Sequence, residues 1–178
     1  MENVGIGIAA AGLAMAIGRL LRLQFVNINN DALDAQLLKL LKAGNRDRAI
    51  KLLGAAAGAM YGRMLLPVFL EMRALDGEQD VKVIGDRLSD VFSKSHHEET
   101  ARVGRLGFVV YVAPVLAAAG VAVGSTAQGD ALMALIGIAV GTLALSVAGW
   151  RNFRRMRDRS VEGFFRILDE VAPGYEAE

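Results

Sequence analysis

Between Arg105 and Arg151 the chain runs for 45 residues with one charged side chain, Asp130. The polar cluster Ser125-Thr-Ala-Gln-Gly-Asp130 divides this stretch into two apolar blocks, Leu106–Gly129 and Ala131–Trp150. A helix of about 20 apolar residues crosses the hydrocarbon core of a bilayer. Within that core every backbone polar group needs an internal partner, which restricts the chain to helices or closed barrels. The two blocks therefore predict a transmembrane helical hairpin, with spans at 106–125 and 130–150.

The distribution of charge orients it. All 20 Lys and Arg residues lie in 19–105 and 151–178, and basic segments stay on the cytoplasmic side. A third apolar block, Asn3–Gly18, opens the chain and ends at Arg19. Its basic residues follow the apolar run, whereas a signal peptide carries them in front. This predicts an uncleaved anchor over 3–23, with Arg19 snorkelling to the cytoplasmic face. The expected fold is an all-α integral membrane protein with three transmembrane helices, N-terminus out and C-terminus in. A cytoplasmic helical domain fills 24–105, and a cytoplasmic tail helix fills 151–178. The 20 glycines and only 3 prolines suit closely packed membrane helices. With no cysteine, disulfides and thiolate metal sites are excluded.

In the cytoplasmic part, Asn30 or Asp31 is placed to cap a helix over Ala32–Ala43, which Gly44-Asn45 stops. A second helix starts at Arg46. The basic residues here are interleaved with acids and lack aromatic neighbours, which argues against nucleic acid as a partner. Leu52–Leu70 is apolar apart from Arg63. It reads as a buried helix of the cytoplasmic bundle or, at the expense of the charge rule, as a fourth membrane segment. Val81–Arg105 is amphipathic, with Val81, Ile84, Leu88, Val91 and Phe92 on one face. It is expected to run unbroken into the second membrane helix. In the tail, a basic run over Arg151–Arg159 leads to an apolar face of Phe164, Phe165, Ile167, Leu168 and Val171.

The hairpin carries the candidate functional residues. Gly120 and Gly124 form one GxxxG pair and Gly137 and Gly141 another, and each makes a flat strip for close helix approach. The strips suit packing within the hairpin and contact between subunits equally well. Pro114 interrupts the hydrogen bonding of the second span, as a kink or as a source of free carbonyls at a pore. Thr142 and Ser146 lie one turn apart, lining a polar path or bonding to their own helix. Asp130 is placed to cap the third span. His96-His97 beside Glu98-Glu99 reads as a solvated helical face, not as a metal site. No catalytic set, P-loop or dinucleotide fingerprint is present in the sequence. An ordinary enzyme is not expected, nor is a cofactor or a metal.

The order of parts and three motifs resemble the MotA/TolQ/ExbB family of proton-channel motor subunits, in its three-helix TolQ/ExbB branch. Leu40-Leu-Lys-Ala-Gly-Asn-Arg-Asp-Arg-Ala-Ile-Lys-Leu-Leu53 looks like the helical pair that follows the family's first membrane helix. Ala113-Pro114, with Gly120 and Gly124 six and ten residues after the proline, is similar to the second-helix pattern. Ala131-Leu-Met-Ala and Ala139-Val-Gly141 loosely resemble the third helix. The resemblance implies a bacterial inner-membrane, multi-pass protein. It implies a homo-oligomeric, pentameric ring in contact with membrane lipid. The ring encloses the helix of a single-span partner of the TolR/ExbD/MotB type, whose aspartate carries the proton. In such a ring Pro114, Gly120, Val121, Gly124, Gly137, Gly141, Thr142 and Ser146 are lumen or helix-packing residues. The chain departs from the pattern at Val121, where a Thr is usual, and at Leu135 or Ile138 on the third helix. The proline late in the third helix is also missing. These departures bear on conduction more than on fold. The alternative expectation is a non-conducting three-helix scaffold subunit of a larger membrane complex.

Overall fold

The computed structural model describes residues 2–26, 29–104, 108–124 and 130–175. Every element among them is an α-helix: α1 (Glu2–Val26), α2 (Asn30–Lys42), α3 (Arg46–Ala55), α4 (Met60–Ala74), α5 (Val81–Gly104), α6 (Phe108–Val123) and α7 (Asp130–Val171). They form two compact units. The first comprises Met1–Gln24 and Val103–Arg155, and the second comprises Phe25–Arg102 and Met156–Glu178.

Two helices are long and apolar enough to cross a membrane. They are α1, over Val4–Gln24, and α7, from Ala131 onward. Only 28% of the α1 window and 17% of the α7 window is buried. The core helix of a water-soluble protein would hide most of such a surface, because exposed apolar patches are kept small. The described part of α6, where the middle span was expected, has 16 residues, about 24 Å at the helical rise. The junction between α5 and α6 and the segment Ser125–Gly129, expected as the hairpin's turn, lie outside the described residues. The expectation of an unbroken helix across 105 lies there too.

Within the first unit, α1 buries Gly5, Ala9, Gly12, Ala16, Arg19 and Leu23. These follow one another by four, three, four, three and four residues. α6 buries Ala113, Ala117 and Gly120, followed by the buried Gly124 just past its end, and α7 buries Leu135, Thr142, Ser146, Gly149 and Phe153, on the same repeat. A 3.5-residue repeat keeps one seam facing a partner along a left-handed helix pair. Here small residues fill most of the seam on α1 and α6, so the backbones themselves come together.

The register follows from what surrounds each glycine. A Cβ on Gly5 would lie 2.7 Å from the Gly120 carbonyl oxygen, and one on Gly12 would lie 2.6 Å from that of Ala113. Position 5 thus meets 120–124 and position 12 meets 113–117, so α1 and α6 run antiparallel. Gly124 abuts Leu135, with Gly5 near it, and Gly149 lies against Leu20 and Leu23. The helix α7 therefore runs parallel to α1.

The second unit packs α2, α3, α4 and α5 against the C-terminal part of α7. Its core includes Leu37, Leu53, Tyr61, Met64, Leu65, Phe69, Leu88, Phe92, Phe164 and Ile167. Asn29, not Asn30 or Asp31, caps α2: its side-chain oxygen accepts from the Ala32 amide at 3.2 Å. Asn30 is buried instead. At the other end of α2, the Gly44 amide bonds Leu41 and the Asn45 amide bonds Leu40 at 2.8 Å. This is a Schellman stop, and Gly44 supplies the required positive φ of 68°.

The ambiguous stretch Leu52–Leu70 is broken between Ala55 and Met60, and α4 has only 15 residues. It buries Met60, Met64, Leu65, Val68 and Phe69 in the second unit. With the break and this length, no helix in the stretch is long and apolar enough to cross a membrane, and α4 is a buried helix of the second unit's bundle. Arg63 ties the turn to α5. It bonds Glu99 at 2.7 Å and the carbonyls of Ala57 and Gly58 at 3.0 and 2.8 Å.

The amphipathic faces are rotated from their expected positions. On α5 Val81 is exposed and Ile84 and Val91 are half-buried, while Leu88 and Phe92 are joined inward by Ser95, Glu99 and Val103. Ser95 goes inward because its hydroxyl bonds the Met64 carbonyl at 3.0 Å, near the Pro67 interruption of α4. On α7 Phe165 is exposed, while Phe164 stacks on Phe92 with ring centroids 3.9 Å apart. The third span and the tail, expected as separate helices, are one helix of 42 residues.

Candidate functional site

The predicted site residues separate into two groups. Gly120 and Gly124 are buried where α1 crosses α6, with a Cβ on Gly120 coming within 2.7 Å of the Ala9 amide nitrogen. Their strip mates chiefly with α1 of the same chain, a partner the GxxxG pattern alone does not name. Pro114 lies inside α6 and is half-buried, as is Val121. Gly137 and Gly141 have nothing within 4 Å of a Cβ position. Their strip is open along α7, flanked by the exposed Met133, Ile136, Val140 and Leu143.

Thr142 and Ser146 face inward. The Thr142 hydroxyl donates to the Ile138 carbonyl of its own helix at 2.8 Å, the self-satisfying choice open to threonine in a helix. Ser146 is 4% exposed and its oxygen has no partner. Asp130 is the first residue of α7, one position inside the cap that the sequence assigns it.

Arg19 does not snorkel. It is 6% exposed, and its Nε and one terminal nitrogen, Nη1, are buried without a hydrogen-bond partner. It occupies a seam position between Ala16 and Leu23, so the helix phase that docks α1 turns Arg19 inward. The sequence marked Arg19 only as the end of an apolar block. The cue to its inward position is the four-three spacing of Gly5, Ala9, Gly12 and Ala16, continued by one step.

The second unit holds a separate buried polar cluster. The Tyr61 hydroxyl donates to Asp34, and Arg166 approaches the same carboxylate at 4.0 Å. Burial raises the Asp34 pKa against the opposing effects of Tyr61 and Arg166, and burial beside that carboxylate also raises Tyr61. Gly163 of α7 makes room for the pair, since a Cβ there would lie 2.5 Å from the Asp34 oxygen. The His96-His97-Glu98-Glu99 run is not a uniformly solvated face. His97 and Glu98 are exposed, but Glu99 is buried in its ion pair and His96 is half-buried. Burial, then Arg157 and His97, lower the His96 pKa. Among the described residues, no three His, Cys, Asp or Glu side chains converge to hold a metal.

Among the described residues, no serine or threonine hydroxyl bonds a His, Asp or Glu side chain. What the arrangement offers is a three-helix unit with close internal seams, apolar outer faces and an inward cation. Comparison with models of protein families, with curated proteins and with solved structures gave no match.

Proposed function

We propose that this chain is a three-span subunit of a bacterial inner-membrane, ion-driven energy-transducing complex. Several copies form a ring, five in the family it resembles, around the membrane helix of a partner subunit. The observation that carries the reading is the open strip on α7. Gly137 and Gly141, with exposed Ala134, Ala144 and Ala148 beside them, recur every three or four residues on a face that no described residue covers. Small residues at this spacing let a neighbouring helix approach closely in lipid. The antiparallel order of α1 and α6 and the parallel order of α1 and α7 are compatible with an N-out, C-in path. The basic residues Arg22, Arg151, Arg154 and Arg155, all exposed, would then gather at the cytoplasmic end.

A non-conducting scaffold subunit is the second reading, and one observation favours it. Thr142 and Ser146 turn inward, and Val121 stands where a polar lumen residue is expected. In either case a proton would need a carboxylate supplied by the partner. Measuring the mass of the detergent-solubilised complex tests the ring. About five copies with a smaller partner support it, and a monomer or dimer overturns it. Proton flux in vesicles separates the two readings, with flux for the motor and none for the scaffold.

A further inference from the structure

The interior of the first unit holds a charge that no described residue of that unit balances. Arg19 is 6% exposed with Nε and Nη1 unpaired, and Ser146 is 4% exposed with its hydroxyl unpaired. The two belong at one level. Gly149 of α7 rests against Leu20 and Leu23 of α1, and the helices run parallel. One turn back from Gly149 is Ser146, and one residue back from Leu20 is Arg19. Donors on two neighbouring helices thus lie at the same depth.

An unpaired guanidinium in a low-dielectric interior is costly, and such groups persist where an anion meets them. The first unit contains only two carboxylates, Glu2 and Asp130. Both lie at the other end of the helices, Glu2 being 17 residues from Arg19 on α1, about 25 Å away. A second copy packed side by side in the same orientation brings no carboxylate to this level from its own membrane unit. The anion at this level must come from elsewhere.

The depth points to its source. Arg19 lies one turn inside the exposed Arg22. It is near the end of the apolar stretch of α7, where Trp150 stands with Arg154 over its ring at 5.4 Å and where Arg151 is exposed. Indole rings and basic side chains mark the headgroup level of a bilayer, and the abundant anion there is the phosphodiester of a phospholipid. An arginine fork matches phosphate oxygens with paired donors, and Ser146 adds a neutral one.

We propose that Arg19 and Ser146 form a binding site for the phosphate of an anionic phospholipid at the cytoplasmic end of the three-helix unit. The site rests on the membrane reading of α1 and α7 but not on the ring or on conduction. Because these donors are closed off in the packed unit, the phosphate reaches them by parting the cytoplasmic ends of α1 and α7, and its charge offsets that cost.

The probe is phosphatidylglycerol. The full chain is purified in mild detergent, delipidated and reloaded, and retained lipid is counted by native mass spectrometry. Wild type is expected to keep one phosphatidylglycerol per chain. Arg19→Gln should lower retention about tenfold or more, the worth of a charge-assisted hydrogen bond. Ser146→Ala should lower it a few-fold, Arg19→Lys should retain part of it, and Arg22→Gln should leave it unchanged. No retention by wild type, or retention equal to wild type in both Arg19→Gln and Ser146→Ala, overturns the site. Inorganic phosphate that raises the melting temperature as much as the lipid would make the ligand a free anion and overturn the lipid source. Should Arg19→Gln fail to show helical circular dichroism, Ser146→Ala and Arg19→Lys decide the question. The same spectra report copy number. A monomer that keeps the lipid sinks the ring and leaves the site standing, whereas a ring without lipid does the reverse.

Discussion

Gly5 and Gly120 face each other backbone to backbone. A Cβ on Gly120 would lie 2.6 Å from the Gly5 carbonyl oxygen, and a Cβ on Gly5 would lie 2.7 Å from that of Gly120. The obstacle on each side is main chain, which no rotamer change can move. The contact therefore sets how near α1 and α6 approach.

Gly120→Ala should destabilise the first unit by about 1–3 kcal/mol, the usual cost of overpacking. Gly137→Ala, with open space at its Cβ, should leave thermal stability unchanged or slightly raised, as a helix gains from alanine over glycine. Thermal melts of the two variants in one detergent check the contrast. Equal melting temperatures would show that α1 and α6 do not meet at these glycines.

Gly137→Leu separates assembly from folding. The open strip predicts normal helical content with loss of the multimeric mass, read by size-exclusion chromatography with light scattering. An intact multimer would place the subunit contact elsewhere.

The ion pair of Arg63 with Glu99 is largely buried and holds the Ala57–Gly58 turn against α5. Glu99→Ala leaves Arg63 without its carboxylate, and the second unit should lose about 3 kcal/mol, the lower end for breaking a buried pair. Denaturant unfolding followed by circular dichroism measures it. A loss below about 0.5 kcal/mol would class the pair with exposed ion pairs.

Asp34 and His96 give the second unit pH dependences of opposite sign. Folding raises the Asp34 pKa above 3.8. The folded state then holds more protons than the unfolded one between that value and the raised one, and stability falls as pH rises through this window. Asp34→Asn should remove that slope while still accepting from Tyr61.

Folding lowers the His96 pKa below 6.5. The unfolded state binds the extra proton, so stability falls as pH drops below that value and through the folded pKa. His96→Gln should flatten the slope on the acid side of neutrality. Melting temperatures across pH 4–8 for both variants read the two effects separately.

The helical class, the apolar blocks and the break at Gly44-Asn45 were legible because each has a local cause. Charge-free length marks a span, and a glycine in the left-handed region ends a helix. The seam on α1 was not legible in the same way. Gly5, Ala9, Gly12 and Ala16 sit among other apolar residues, so hydropathy has no phase around the helix and only side-chain size distinguishes the buried face. The amphipathic faces of α5 and α7 were found to within a rotation. Ser95 and Glu99 moved inward because their polar atoms met partners on α4 that the sequence of α5 does not contain.

By itself the sequence determined where apolar helices begin, where charge gathers and which residues are small enough for close approach. These depend on the composition of one segment at a time. Only the tertiary structure decided that the Gly120–Gly124 strip meets α1, that the Gly137–Gly141 strip stays open and that Arg19 turns inward. Each depends on the phase of one helix against another. For Arg19 that phase is dictated by the glycines and alanines docking the same face of α1, not by the arginine's own preference for water.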